Sequence, residues 1–286
     1  MSTALILYFS KGGTTTKVAG AIAEGLKEKG CDVELCAIKD ASPESASKYD
    51  IIGLGSPVYY YQLPYNVAEF IKAFPTLRGK SFFTFLLYAT HKFDTVEQIN
   101  KIMRSKNAKP LGDFSCFGEG YFLGFLKRGT QFSPDHPTKE ELDEAVDFGK
   151  EIMVQYNNSI DKVTEEHSRA PLVYSIERFL MSPWLSKNVY SRLFKVARNK
   201  CTSCGVCMDE CPVGNVSEDK NGQPVWGKDC ILCLYCEFKC PNNAISSPLN
   251  LPTFSPFINY NLHGAVKDPG VSHVSVDFNK GRVNRL

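Results

Sequence analysis

The first half of the chain alternates short apolar runs with amphipathic stretches. Residues 4–9 form an apolar run of strand length, followed by a Ser10-Lys-Gly-Gly13 loop. Residues 14–29 then read as a helix, with Val18, Ala19, Ile22, Ala23 and Leu26 on one stripe. The same pattern predicts strands over residues 32–38, 51–55, 82–87 and 112–117, and helices over 65–73, 95–105 and 139–156. Strands alternating with helices imply an α/β fold built on a doubly wound, parallel, five-stranded sheet. The expected strand order is 2-1-3-4-5, with a ligand at the carboxyl ends of the strands.

The pattern then changes. Residues 155–169 are polar and read as a helix end plus a linker, with Pro171 at the boundary. Two amphipathic segments come next, broken at Pro183. Over residues 187–200, Val189, Leu193 and Val196 continue a helical spacing begun at Leu185, which predicts a helix with its apolar face inward. Lys187, Arg192, Lys195, Arg198 and Lys200 fall in that stretch with no acid among them. They read as a solvated face, a dock for an acidic redox partner, or charge compensation for the cysteine-rich segment beyond Lys200. Residues 219–226 read as a hairpin turn. Beyond Leu251, only the alternation of Val274, Val276 and Phe278 suggests a strand, and His263 and His273 read as structural. The expected division is 1–157, a linker with helices over 158–191, a small α+β domain over 192–250, and a tail over 251–286.

Length and composition narrow the class. A chain of 286 residues with 43% hydrophobic and 22% charged residues fits one or two globular domains. A formal charge of +2 gives no argument for nucleic acid or a membrane surface. Glu177 and Arg178 interrupt the most apolar candidate span, residues 172–185, so no membrane span is expected. Met1 leads almost directly into a strand pattern without a basic segment, so a cytoplasmic location is expected. The 11 cysteines suit a reducing compartment. Cys31, Cys36 and Cys116 are scattered singly and read as ordinary buried thiols.

The other eight cysteines carry the strongest chemical signal. Cys201, Cys204, Cys207 and Cys211 precede Pro212, and Cys230, Cys233, Cys236 and Cys240 precede Pro241. Both runs have the spacing C-x2-C-x2-C-x3-C-P. A cubane cluster needs four thiolates around one small body, and three cysteines two residues apart let a tight loop cover three corners. Structural zinc is the plain alternative, but zinc usually takes paired C-x2-C knuckles, and no His lies between the first and last of these cysteines. A disulfide framework is the third. The stretch resembles the bacterial two-cluster ferredoxins, in which the Cys before each Pro ligates the other cluster. That resemblance implies two [4Fe–4S] clusters, one on Cys201, Cys204, Cys207 and Cys240 and one on Cys230, Cys233, Cys236 and Cys211.

A second signal lies at the strand ends. Ser10-Lys11-Gly12-Gly13-Thr14-Thr15 places small and hydroxyl residues at a helix N-terminus, where backbone N–H groups favour a phosphate. A simple helix start would look similar. The chain lacks G-x-G-x-x-G and G-x-x-x-x-G-K-[ST], and Ser10 and Ser56 stand where a phospho-acceptor receiver would need carboxylates. The third strand leads into Pro57-Val58-Tyr59-Tyr60 and the fourth into Tyr88-Ala89-Thr90-His91. The tyrosines could equally form a surface aromatic cluster. Together the three loops resemble those of the flavodoxins, which cradle flavin mononucleotide (FMN). By that resemblance Ser10, Gly13, Thr14 and Thr15 bind the phosphate, Tyr59 or Tyr60 stacks on the flavin, and residues 88–91 meet its pyrimidine edge. Gly12 stands where flavodoxins usually carry a hydroxyl residue, which leaves backbone N–H groups or Lys11 to replace that donor.

The chain as a whole resembles the flavodoxin–ferredoxin fusion family. The resemblance implies electron transfer between two [4Fe–4S] clusters and FMN, with redox partner proteins as donor and acceptor. No catalytic acid, base or nucleophile stands out. The alternative is an FMN-dependent oxidoreductase that reduces a quinone or nitro compound and is fed through the clusters.

Overall fold

The computed structural model describes residues 1–161, 171–279 and 282–286. By internal contacts the chain divides into two compact units, Met1–Gly118 with Asp135–Ser175 and Glu119–Pro134 with Ile176–Leu286. No helix among the described residues is long and apolar enough to cross a membrane.

The chain opens with β1 (Thr3–Tyr8), α1 (Thr14–Glu28), β2 (Asp32–Ala37), β3 (Ile51–Pro57), α2 (Tyr65–Lys72), β4 (Ser81–Tyr88), α3 (Thr95–Ser105) and β5 (Lys109–Phe117). The five strands form one parallel sheet in the order β2-β1-β3-β4-β5. Ser81–Leu87 of β4 is buried throughout, as a central strand covered on both faces must be. The sequence pattern starts the fifth strand at Gly112, but β5 begins at Lys109 and bulges between Phe82 and Phe83 of its neighbour. Pro110 is tolerated because β5 is an edge strand, where a missing N–H costs no ladder bond.

Next come α4 (Leu123–Leu126) and β6 (Thr130–Phe132), which belong to the second unit, and then α5 (Lys139–Asn157) and α6 (Leu172–Leu180). A capping box starts α5: Glu141 N–H donates to Thr138 Oγ1 at 3.3 Å and Thr138 N–H donates to Glu141 Oε2 at 2.7 Å. Glu141 Oε1 also accepts from Phe117 N–H at 3.1 Å, which ties the end of β5 to the start of α5. Helices α1 and α5 touch backbone to backbone. A Cβ at Gly25 would stand 1.9 Å from the Val146 carbonyl oxygen, and one at Gly149 2.3 Å from that of Ile22. Val18, Ala19, Ile22, Ala23 and Leu26 join Ile6, Phe83 and Phe85 in the core under this contact. Burying each of the larger side chains contributes about 2 kcal/mol. Of the polar run at 155–169, residues 162–169 lie outside the described residues.

The second unit continues with α7 (Pro183–Asn188), β7 (Lys195–Val196), α8 (Val206–Asp209), β8 (Val216–Glu218), β9 (Pro224–Trp226), α9 (Tyr235–Lys239), β10 (Ile245–Ser246), α10 (Ser255–Lys267), β11 (His273–Asn279) and β12 (Arg282–Arg285). The helix expected over residues 187–200 does not form. The chain leaves α7 at Asn188, makes a 3-10 turn at Tyr190–Leu193, and enters β7, where Val196 pairs with Ile245. Leu193, expected on the inward face, is exposed, and Phe194 stacks on Trp226 with ring centroids 4.6 Å apart. Pairing with β10 overrides the helical spacing. The hairpin expected at 219–226 is present as β8–β9.

Residues 119–134 are an insertion between β5 and α5 that the sequence pattern did not reveal. There β6 pairs antiparallel with β11, Thr130 facing Ser275 and Phe132 facing His273. Lys127 pairs with the buried Glu237 of α9, and Arg128 donates to Ser255 Oγ at 2.8 Å and to Asn259 Oδ1 at 2.7 Å. Cys31 and Cys116 are buried, but Cys36 is only half-buried, since β2 is an edge strand.

Glu177 is 8% exposed, accepts one hydrogen bond from Asn261 Nδ2 at 2.6 Å, and has its carboxyl pushed above the usual range by burial. A raised folded-state value means that the fold holds this proton more tightly than the unfolded chain does. The stability it supplies is therefore complete below the unfolded value of about 4.3 and is lost as pH rises through the folded value. Glu177→Gln keeps the acceptor and cannot ionise. Chemical denaturation should find this variant more stable than the parent at pH 8, with the difference shrinking towards pH 4.5. An equal difference at both pH values would remove the titration account.

Candidate functional site

The two cysteine runs fold as copies of one backbone pattern. Cys204 is flanked by Ser203 at φ 51° and Gly205 at φ 76°, and Cys233 by Leu232 at φ 52° and Leu234 at φ 59°. These are left-handed positions, each costing a residue with a side chain about 1 kcal/mol or more. Alternating right- and left-handed residues turn successive N–H groups towards one concave side, which suits an anionic body. Gly205 and Leu234 also start α8 and α9, which carry Cys207 and Cys236. The cysteines before the prolines repeat a second device. Left-handed Gly214 and Asn243 turn the chain so that Asn215 N–H donates to Cys211 Sγ at 3.2 Å and Ala244 N–H to Cys240 Sγ at 3.3 Å.

The buried thiols of each run have a cysteine of the other run among their electrostatic neighbours. Burial pushes Cys207 up to about 11, and the nearby Cys240, Cys204 and Cys201 push in the same direction. Burial pushes Cys230 up to about 12, with Cys233 and Cys211 adding to it. Burial holds Cys236 well above the ordinary thiol value, and Cys233, Cys230 and Cys211 reinforce it. The neighbours of Cys207 thus include the Cys before the second proline, and those of Cys230 and Cys236 the Cys before the first. Cys201, Cys204, Cys207 and Cys240 line one pocket that is partly open to solvent. Among the described residues, no three His, Cys, Asp or Glu side chains are arranged to hold a single metal ion.

In the first unit, β1, β3 and β4 are adjacent and parallel, so the segments leaving their carboxyl ends share one rim. Pro57 and Tyr88, expected in loops, are the last residues of β3 and β4. In the first segment Ser10 Oγ accepts from Gly13 N–H at 3.1 Å. Gly13, at φ 89°, starts α1, whose first turn has no acidic residue and no side-chain cap. Its leading N–H groups and dipole are thus left to an anion. Lys11 and Thr14 are half-buried, Gly12 is exposed and Thr15 is buried.

The second segment is fastened by Val58 N–H, which donates to the Leu87 carbonyl at 2.8 Å. Tyr59 bridges to Gln62 across Tyr60 and Tyr61, both left-handed at φ 51° and 60°. Two bulky residues in such a tight turn store strain of a kind that clusters at binding sites. Tyr59 meets Phe9 edge-on at 6.2 Å, while buried Tyr61 packs on Tyr174 at 4.5 Å and lies 6.3 Å from His91. In the third segment Thr90 is buried, and Ala89 and His91 are half-buried. The sequence pattern missed Lys92, a half-buried lysine whose charged form burial disfavours and which stands 6.0 Å from the centre of the Tyr88 ring. It also missed Trp226, whose indole nitrogen favours the thiolate of Cys236. A lone lysine and a lone tryptophan carry no spacing signal.

The two units define a class that comparison makes concrete. A flavodoxin domain family matches residues 5–124, and a 4Fe-4S dicluster domain family matches residues 200–248. An uncharacterised protein of Methanocaldococcus jannaschii is 29% identical over 157 residues, covering 52% of this chain and 97% of the relative. An uncharacterised ferredoxin of the same organism is 42% identical over 55 residues, covering 18% of this chain and 70% of the relative. Among solved structures, a flavodoxin from the domain Archaea is 21% identical with a TM-score of 0.43, covering 54% of this chain and 99% of its own. The two-electron reduced flavodoxin of Megasphaera elsdenii is 24% identical with a TM-score of 0.39, covering 50% and 97%. The chain thus joins a flavodoxin-like domain to a 4Fe-4S dicluster ferredoxin domain.

Proposed function

We propose that this protein is an electron carrier holding two [4Fe–4S] clusters and FMN, and that it passes electrons between them. The observation that carries this reading is that Cys201, Cys204 and Cys207 of the first run line one pocket together with Cys240 of the second. Cys201, Cys204, Cys207 and Cys240 would hold one cluster, and Cys230, Cys233, Cys236 and Cys211 the other. The left-handed turns shape each loop, and the Asn215 and Ala244 N–H groups offset negative charge on the ligand sulfurs. In the first unit, Ser10, Lys11, Gly12, Gly13, Thr14 and Thr15 would receive the phosphate. Pro57, Val58, Tyr59 and Tyr60 would flank the flavin, and Tyr88, Ala89, Thr90 and His91 would line its pyrimidine edge. When bound, the clusters supply one-electron transfer and the flavin supplies storage of one or two electrons. Partners would be redox proteins.

Thr15 tests the flavin site separately from the clusters. Thr15→Glu places a negative charge at the α1 N-terminus, facing the phosphate. It should weaken FMN binding by about a hundredfold or more, read by fluorescence titration, and leave iron content unchanged. Thr15→Ser, which keeps the hydroxyl, should bind nearly as the parent does. A parent protein that takes up no FMN would end the flavin reading.

The relay is tested by rapid anaerobic mixing of the loaded protein with a one-electron donor that reduces the clusters first. Flavin absorbance should then bleach at a rate independent of protein concentration, and Cys233→Ala should slow it by at least about tenfold. A rate proportional to protein concentration would mean that electrons arrive from another molecule. Rapid turnover with a quinone or nitro compound and no protein acceptor would favour the reductase instead.

A further inference from the structure

The cysteines of the two runs differ in how near they come to solvent. Cys204 is exposed, whereas Cys230 and Cys236 are buried and Cys211 and Cys233 half-buried, so the first set alone has a member at the surface. The pocket that Cys204 shares with Cys201, Cys207 and Cys240 is partly open to solvent. Among the described residues, no Asp, Glu or Arg lines it and Lys200 is its one Lys. Its edge is polar and tied down. Asn242 Nδ2 donates to Thr202 Oγ1 at 3.1 Å, and Gln223 Nε2 to Ser203 Oγ at 3.3 Å.

Two more cations stand on the backbone that leads into this pocket, and that backbone is fixed. Lys195 of β7 pairs with Ser246 of β10, and Ala197 N–H donates to the Ala244 carbonyl at 2.8 Å. Lys200 and Cys201 N–H then both donate to the Ala197 carbonyl, at 2.9 and 3.0 Å. Lys195, Arg198 and Lys200 are all exposed. Two acids stand near. A Cβ at Gly205 would lie 3.9 Å from Asp209 Oδ2, and Asp219 is held below the usual carboxyl range by Gln223 and Asn221 N–H and by Arg198. The second set is flanked instead by Glu210 before Cys211 and Asp229 before Cys230. Electron tunnelling weakens steeply with distance, so a partner reaches most readily the cluster that has a ligand at the surface. Cations beside such an edge steer a partner of opposite sign and fix its pose. We propose that the cluster on Cys201, Cys204, Cys207 and Cys240 is the port at which this unit exchanges electrons with a carrier protein, whose acidic face docks on Lys195, Arg198 and Lys200. This rests on the two-cluster reading above and names the docking surface that reading lacks.

The experiment mixes the reduced full chain, purified without oxygen, with cobalt(III)–EDTA, an anion, or hexaamminecobalt(III), a cation. In each case one electron leaves a cluster and converts cobalt(III) to cobalt(II). At low salt, Arg198→Glu should slow oxidation by the anion at least about threefold and speed oxidation by the cation, and high salt should erase both effects. Lys200→Glu should act in the same direction. If it loses iron because it adjoins Cys201, Arg198→Glu, three residues from that ligand, still decides the matter. Asp229→Lys, an equal change of charge beside the second set, should leave the anion rate within about 1.5-fold of the parent. A binding readout stands apart from electron transfer: hexacyanochromate(III), an inert paramagnetic anion, should broaden the amide NMR signals of Lys195 and Arg198 more than those of α10. Rates that respond to Asp229→Lys and not to Arg198→Glu would put the port at the second set and overturn the proposal. Equal responses would mean that net charge alone acts, which overturns it too. Broadening without any change in rate would make the patch a site for a polyanion that carries no electrons, and would likewise overturn it. A parent protein without iron and labile sulfide would overturn the two-cluster reading instead.

Discussion

Eight thiols gathered between Cys201 and Cys240 set a constraint on which the whole second unit depends. Burial alone pushes Cys207, Cys230 and Cys236 away from ionisation, and neighbouring thiolates would push further. Four such groups become thiolates together only if positive charge arrives with them, which is the condition the proposed ligand sets would meet. Cys240 of the second run lines the same pocket as Cys201, Cys204 and Cys207 of the first, so that pocket needs both runs. The chain between Cys211 and Cys230 forms a hairpin of three-residue strands.

That constraint explains features that would otherwise be expensive. Ser203, Leu232 and Leu234 accept left-handed backbone, which only glycine adopts freely, and a loop proposed to wrap around one small body would need such turns. Glu237, buried between Cys236 and Cys240 on α9, is answered by Lys127 and by Ser247 N–H at 2.9 Å. Lys127 comes from the insertion at residues 119–134, so a segment interposed between β5 and α5 neutralises a charge in the cysteine-bearing unit. In the first unit the parallel sheet plays the corresponding part. Its order alone puts the ends of β1, β3 and β4 side by side, and α1 presents an uncapped N-terminus free of acid at that rim.

Much of this was legible in the sequence, and the rest was hidden for physical reasons. Apolar runs such as residues 82–87 declare a buried parallel strand, and the cysteine spacing declares its own chemistry. Pro110 and Gly112 disguised the start of β5, because an edge strand tolerates a proline and a bulge that a central strand would not. The spacing of Leu185, Val189, Leu193 and Val196 was helical by coincidence, and pairing of Val196 with Ile245 decided the outcome. The insertion was illegible because β6 is three residues long and finds its partner only in β11, far along the chain. Trp226 was read as part of a turn. Its packing on the core that holds Cys207, Cys236 and Cys240 depends on a fold that no local pattern encodes.

The central claim is that each set of four cysteines holds an iron–sulfur cubane. The most direct measurement is iron, acid-labile sulfide and zinc per chain in protein purified without oxygen. The account predicts about eight iron and eight sulfide per chain, and no stoichiometric zinc. About two zinc per chain with no sulfide would contradict it.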